Sequence, residues 1–536
     1  MNLLLLIGIT LVLFFLGYRF YSRVVERQFG VEPDRQTPAH TKYDGVDYVP
    51  AKHWTMLFGH HFASIAGAAP IIGPVLAVSI WGWAPTILWI VIGSVLMGGV
   101  HDFCSLLISV KHEGSSIAEV TKKCISKRAK TVFLIFVWLT LILIIAVFVT
   151  LSAKTLVVKP EIVLPSLGLI PLAIIVGFLL YNLKLNQPLV TFFGLGTLAL
   201  LMILGRHFPI NLGGNPVMIW GIILLVYSFV ASVTPVQILL QPRDYLSSFP
   251  LLLGLLIGFA GLVLFGHGIK LPAFVSPDAV PGTMPLWPLL FVTVACGAIS
   301  GFHSIIASGT TSKQIASERH ARHIGYGGMI AEGLLAAMTV FVLIVVFKDQ
   351  GEIQKAVAGG AGPINAFGIA YGEVTKKIMG GYGYLFAITI LNAFILTTLD
   401  SAARIGRYIT QELFGISNRF LATFIVVILS GWLALSGKWT QIWPLFGSAN
   451  QLIAALTLIV VTSWLLSRRK KVLYTLVPTI FMLVTTMGAL VIKIVEYFAK
   501  RESALLLVSA VLLGLAIFIF AEAVKETGKV FRRRIA

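Results

Sequence analysis

The sequence predicts an all-α polytopic membrane protein of about fifteen transmembrane helices, with its N-terminus outside and its C-terminus in the cytoplasm. Three observations carry that expectation. Hydrophobic residues make up 57% of the 536-residue chain and charged residues only 12%, against roughly 45–50% and 25% in soluble domains. Apolar runs of about 20 residues, enough to cross roughly 30 Å of hydrocarbon, recur along the chain. Basic residues concentrate in alternate connections, which orients the whole.

The runs fall near 3–22, 53–80, 84–110, 130–152, 168–183, 188–205, 216–241, 249–268, 287–312, 325–347, 381–405, 420–436, 441–466, 472–494 and 503–525. The first lacks a basic leader and a small-residue cleavage site, and Arg19, Arg23 and Arg27 follow it. It therefore reads as a retained helix rather than a signal peptide. With the N-terminus outside, 29 of the 41 Lys and Arg residues fall in cytoplasmic segments, among them Arg468-Arg469-Lys470-Lys471 and Arg532-Arg533-Arg534. The net charge of +19 then records insertion, and a nucleic-acid partner has nothing left to explain. The partner in contact with most of the surface is the lipid bilayer. Two polar stretches remain, a cytoplasmic one at 20–52 and an external one at 348–380, the latter a lid or a plain connector. Cys104, Cys124 and Cys296 are too scattered for a disulfide framework or a zinc cluster.

One internal similarity gives these spans a plan. Gly59-His60-His61-Phe62-Ala63-Ser64-Ile65-Ala66-Gly67 resembles Gly301-Phe302-His303-Ser304-Ile305-Ile306-Ala307-Ser308-Gly309. The first copy lies in the second span and the other in the ninth, which runs the opposite way. Seven spans followed by seven more form an inverted repeat, 53–268 and 287–526, preceded by an extra helix and cytoplasmic segment at 1–52 and followed by a basic tail at 527–536. Gly67, Pro70, Gly73 and Pro74 interrupt the second span, and Gly297, Gly301 and Gly309 the ninth. Interrupted helices in corresponding places of two inverted halves point to a transporter's binding site. Half-helix N-termini there suit a carboxylate, and freed carbonyls suit a cation. Candidate substrate residues are accordingly His61, Gly67, Ala68, Gly301 and His303, with Asn450 and Gln451 near the midplane of the thirteenth span.

Ionisable groups inside spans are expensive and so are functional candidates. His60, His61, Asp102, His303, Glu332 and Asp400 all fall in cytoplasmic halves, most of them roughly 8–13 Å into the core at 1.5 Å per residue. Histidine with carboxylate in low dielectric can relay protons, so His60, Asp102, Glu332 and Asp400 are candidate coupling residues. Asp400 has Arg404 one turn later and can equally form an ion pair within its helix. Thr397, Thr398 and Ser401 offer hydroxyls for a sodium site instead, or bond back to their own helix. The coupling ion is therefore a proton, or alternatively sodium. No organic cofactor is implied. His60, His61 and Asp102 are of metal-ligating type, and with them comes a competing reading as a membrane-embedded metal-dependent enzyme or sensor. Their spacing matches no zinc pattern, and adjacent histidines on a helix point about 100° apart.

The same residues resemble the carbon starvation protein A family of bacterial and archaeal membrane transporters. The resemblance covers nearly the whole chain. It rests on Phe58-Gly59-His60-His61-Phe62, Gly73-Pro74, Asp102-Phe103, Pro242-Arg243-Asp244-Tyr245-Leu246-Ser247 and Ala295-Cys296-Gly297-Ala298. It continues through Ser300-Gly301-Phe302-His303, Gly325-Tyr326-Gly327-Gly328-Met329 with Glu332, Asp400 with Arg404, and Trp443-Pro444-Leu445-Phe446-Gly447 with Ala449-Asn450-Gln451. The resemblance implies secondary active uptake across the cytoplasmic membrane, no enzymatic activity, and a LeuT-like inverted-repeat core. The family is linked to uptake of small peptides, and some relatives look like proton-coupled pyruvate importers, so the substrate is a small peptide or a small carboxylate. No particular oligomeric state is implied. His101 departs from the family pattern, where a neutral residue such as Gln is expected, and the chain is shorter than the long enterobacterial members.

Overall fold

A computed structural model describes residues 2–535 apart from 46–47, 52, 236–237, 266–267 and 277–283. The side chains of 181, 241, 265 and 526–535 are also outside the description. The basic side chains of the expected 527–536 tail therefore lie outside the described residues, and so does part of the link between the two halves.

The described residues are helical throughout, with no strand. The chain opens with α1 (Leu3–Phe29), then α2 (Trp54–Ile65) and α3 (Ala69–Trp81), which meet at a 45° bend. Next come α4 (Trp83–Lys111), α5 (Lys127–Val158), α6 (Pro160–Leu180), α7 (Gln187–His207) and α8 (Pro216–Val233). α9 (Leu240–Phe265) closes the first half. The second half holds α10 (Leu286–Thr293), α11 (Gly301–Gly309), α12 (Gly327–Val346), α13 (Gln350–Ala358), α14 (Pro363–Met379), α15 (Gly383–Phe414), α16 (Arg419–Leu435), α17 (Trp439–Ser467), α18 (Leu473–Ala499) and α19 (Ser503–Ile535). Twelve stretches among the described residues are long and apolar enough to cross a membrane, thirteen when α2 and α3 count as one. α16, at 17 residues, is apolar but shorter.

Side-chain caps fix several helix starts, where backbone N–H groups lack intrahelical acceptors. Ser126 accepts from Ala129 N at 3.1 Å, Asp349 from Glu352 N at 2.9 Å, and Asn418 from Phe420 N at 2.9 Å. The polar stretch 348–380 is a pair of helices rather than an irregular loop. α14 folds back on α15, with the Tyr384 hydroxyl donating to Asn365 Oδ1 at 2.7 Å. Burying the apolar face of α14 against α15 is what orders this segment.

Helices α5, α12, α15 and α17 are the buried centre, while α1, α7 and α19 are largely exposed and apolar, as lipid-facing helices are. The two expected interruptions are real: 66–68 separates α2 from α3, and 294–300 separates α10 from α11. The repeated nine residues do not share a register with these breaks, however. Gly59–Gly67 occupies the arm before the first break, whereas Gly301–Gly309 is the arm after the second.

At the cytoplasmic ends expected from the charge pattern, the segment after α1 is pinned to the connection between α11 and α12. Lys111 Nζ lies 3.2 Å from the buried Glu318 carboxylate, Glu32 N donates to Glu318 Oε2 at 3.0 Å, and Arg322 pairs with Glu26 at 3.0 Å. Nearby, Lys130 bonds both Glu119 (2.6 Å) and Glu412 (2.5 Å). Its hydrogen bond holds the Glu119 carboxyl below the usual carboxylate range.

Candidate functional site between the two broken helices

The two breaks face each other across a small pocket. Ile65, Gly67 and Ala69 from the first and Cys296 and Phe302 from the second line it, with Ile144 and Phe148 of α5, Thr398 of α15 and Phe446 of α17. Its room for water-sized spheres is about 10 Å³, close to what a single water requires. A Cβ at Gly67 would stand 2.6 Å from Thr398 Oγ1, so any larger residue here would have to displace that hydroxyl. Gly301 is required because a Cβ would stand 2.2 Å from the Asn450 carbonyl oxygen, where α11 meets α17.

α17 braces the second break from both sides. Asn450 Oδ1 accepts from Phe302 N at 2.8 Å, which caps α11, and Asn450 Nδ2 donates to Ser300 Oγ at 3.0 Å. Gln451 Nε2 donates to the Phe291 carbonyl of α10 at 2.7 Å. The two amides proposed from sequence as substrate contacts are thus engaged in holding the break open, though Gln451 Oε1 remains buried without a partner. α3 has no side-chain cap: Ala68 stands at its N-cap position without one. At this N-terminus Pro70 carries no N–H and Ile71 and Ile72 N donate to the Ala68 carbonyl, so the N–H groups of Ala68 and Ala69 are the ones that could meet an anionic group.

Two buried polar clusters flank α2. In the first, Asp102 of α4 accepts from His101 Nδ1 at 2.7 Å and from His303 Nδ1 of α11 at 2.7 Å. The other side of the His303 ring, Nε2, lies 3.0 Å from Glu332 Oε2 of α12, without the alignment of a hydrogen bond. All four side chains are fully buried. His61 reaches the edge of this cluster, its Nδ1 2.8 Å from Thr311 Oγ1, with Nε2 unpartnered. His101, the departure from the family pattern, is an integral member, which its identity as a titratable residue next to Asp102 could have signalled.

The second cluster lies on the other side of α2. His60 Nδ1 is 3.6 Å from Asp244 Oδ2 of α9. Arg243 pairs with Asp400 of α15 and bonds the Tyr227 hydroxyl of α8, while that hydroxyl donates to Asp400 Oδ2 at 2.8 Å. The expected Asp400–Arg404 pair within one helix does not form. The Arg404 side chain instead donates to the carbonyls of Ala231, at 2.8 Å, and Thr234 at the end of α8. A fully buried aspartate needs a buried cation within reach, and Arg243 supplies it. Sequence reading had Arg243 and Asp244 in hand as a motif, but Asp400's partner is 157 positions away.

The groupings proposed from sequence are redistributed accordingly. His60, His61 and Asp102 do not converge as a metal set: the two histidines face different clusters, and Asp102 is enclosed by two imidazoles. The Thr397 hydroxyl donates to the Ala393 carbonyl at 3.1 Å and that of Thr398 to the Phe394 carbonyl at 3.0 Å, so both bond back to their own helix. Ser401 is buried on the same helix. The three side chains whose ligand atoms do gather, within 4.8 Å of one another, are Cys296, His303 and Glu332.

Buried titratable groups around paired helix breaks, inside a bundle of membrane-crossing helices, define a multi-pass membrane transporter. The comparisons say which. Residues 2–354 and 347–489 match the family model "Carbon starvation protein CstA", and the chain belongs to that family. It is 30% identical over 586 residues to the Pyruvate/proton symporter BtsT of Escherichia coli (strain K12), covering 90% of this chain and 80% of that one. It is 32% identical over 576 residues to the Peptide transporter CstA of the same organism, covering 91% and 80%. The Peptide transporter CstA of Bacillus subtilis (strain 168) is 31% identical over 501 residues, covering 83% and 82%. Among solved structures, the fold resembles a mutant of the Eremococcus coleocola manganese transporter at a TM-score of 0.51 and 14% identity, over 91% of this chain and 98% of that one. The chain is thus a multi-pass solute transporter of the inner membrane.

Proposed function

We propose that this transporter is a proton-coupled importer of small peptides that works by alternating access. The observation that carries the coupling ion is the His101–Asp102–His303–Glu332 chain. One proton between His303 Nε2 and Glu332 can reside on either atom, and three elements that meet at a break share its charge. In this reading Asp102, His303 and Glu332 carry the proton, and His60 and His61 link the two clusters. Asp400 with Arg243 holds α9 to α15. Gly67 and Ala68, at the uncapped start of α3, receive the substrate carboxylate, while Gly301, Asn450 and Gln451 shape the opposite wall.

Counting the broken α10–α11 and the short α16 as spans brings the number to fifteen, N-terminus outside and C-terminus inside. The halves 53–268 and 287–526 then form a LeuT-like inverted repeat, flanked by 1–52 and 527–536. Two facing breaks, each early in its half, support it. The relatives named as peptide transporters support the peptide substrate. A second reading, a small carboxylate such as pyruvate, is favoured by the small pocket and by the relative named as a pyruvate/proton symporter.

Counterflow in proteoliposomes with labelled dipeptide and labelled pyruvate separates these readings, with pH and sodium gradients imposed one at a time. Dipeptide exchange accelerated by an inward pH gradient alone is expected. Exchange of pyruvate without dipeptide would replace the substrate, and uptake driven by sodium alone would replace the ion.

A further inference from the structure

We propose that Cys296, His303 and Glu332 form a binding site for a soft divalent transition ion of the zinc class, beside the pocket between the two breaks. Their Sγ, imidazole nitrogen and carboxylate oxygen lie within 4.8 Å of one another and all three residues are buried. His303 Nε2 and both Glu332 oxygens are buried without an aligned hydrogen-bond partner, which is costly for groups of this polarity. Cys296 Sγ donates to Ser300 Oγ at 3.5 Å and accepts from Asn450 Nδ2 at 3.4 Å, ordinary lengths for sulfur, and its remaining lone pair is free for an ion. The imidazole nitrogen and the carboxylate thus lack aligned partners and lie within ligand reach of the same thiol.

The donor types select the ion. Thiolate, imidazole and carboxylate suit zinc, whereas magnesium and calcium require oxygen ligands. The surroundings have the form of a ligand support: Asp102 accepts from His303 Nδ1 at 2.7 Å, which directs Nε2 towards the site, and His101 in turn holds Asp102. Three protein ligands leave a fourth position open. Cys296 also lines the central pocket, which places the site beside it. A bound ion ties the break at 294–300, α11 and α12 together.

The test uses the full chain, purified in detergent, stripped with chelator and titrated with Co²⁺ and then Zn²⁺. The expected results are a near-ultraviolet thiolate-to-cobalt band, its loss on adding zinc, and stoichiometric zinc by elemental analysis. The band persists in the Cys104→Ser/Cys124→Ser double variant, where Cys296 is the sole thiol, and disappears in Cys296→Ser. Asp102→Asn weakens zinc binding by about 10–100-fold. Absence of binding by the wild-type chain overturns the site, as does a band that is lost from the Cys104→Ser/Cys124→Ser chain. Zinc that binds a chain showing no proton-driven uptake would end the coupling reading and leave the metal site standing.

Discussion

The two polar clusters on either side of α2 are built from similar parts and arranged for opposite ends. Around Asp400, a permanently charged guanidinium sits against the carboxylate, and a tyrosine hydroxyl completes it. Arginine does not release its proton in a protein, so the Asp400 carboxylate keeps a charged partner in every conformation that leaves the pair intact. Around Glu332, the partner among the described residues is an imidazole, which is a cation only while it holds a second proton. The first arrangement locks three helices together. On the proposed coupling, the second changes charge when one proton arrives or leaves, where α4, α11 and α12 meet. Adjacent histidines on α2 face one cluster each, so movement of that half-helix acts on both.

The largest expected effect comes from removing the exchangeable proton. Glu332→Gln abolishes uptake driven by a pH gradient, down to the level of protein-free liposomes, while counterflow of labelled substrate at equal pH survives in reduced form. Parallel uptake and counterflow assays check it. Normal gradient-driven uptake by the variant would erase the distinction between the clusters.

The locked cluster makes a stability prediction instead. Arg243→Met leaves Asp400 buried without its cation, which costs about 3–5 kcal/mol, and thermal unfolding in detergent falls accordingly. Arg243→Met/Asp400→Leu recovers most of the loss, because replacing both charges by apolar groups removes the desolvation penalty. A double variant no more stable than the single one would show that the pair does more than hold helices together.

These clusters also mark the boundary of what the chain discloses by itself. The apolar spans in outline, the two breaks and the burial of Asp102, His303 and Glu332 are legible, though the sequence groups these three with His60, His61 and Asp400, because hydropathy, Gly/Pro placement and the expense of intramembrane charge are local signals. Partner choice is not. Asp400 has an arginine one turn away and takes another 157 positions distant. Asn450 and Gln451 look like free amides until α10 and α11 are placed against them. Cys296 gave no signal as a ligand, since its companions arrive from two other elements. The repeated nine residues located both broken helices correctly while being out of register with the breaks, because a Gly–His pattern records close packing of small residues as readily as descent from a common half.

The smallest effect separates the two coupling ions. Thr397 and Thr398 each donate to a carbonyl one turn back on α15, so neither hydroxyl needs an ion to satisfy it, and consecutive residues point about 100° apart. Thr398→Ala removes one such bond and slightly enlarges the wall opposite Gly67. Back-bonding to a helix's own carbonyl stabilises little, so uptake is expected to change by no more than about threefold, roughly 0.6 kcal/mol by the factor-of-ten rule of 1.4 kcal/mol. Uptake measured across a sodium series should give the same curve for variant and wild type. A sodium requirement that rises in Thr398→Ala would place an ion at α15 and move the coupling away from Glu332, to the side of α2 that the Arg243–Asp400 pair otherwise keeps fixed.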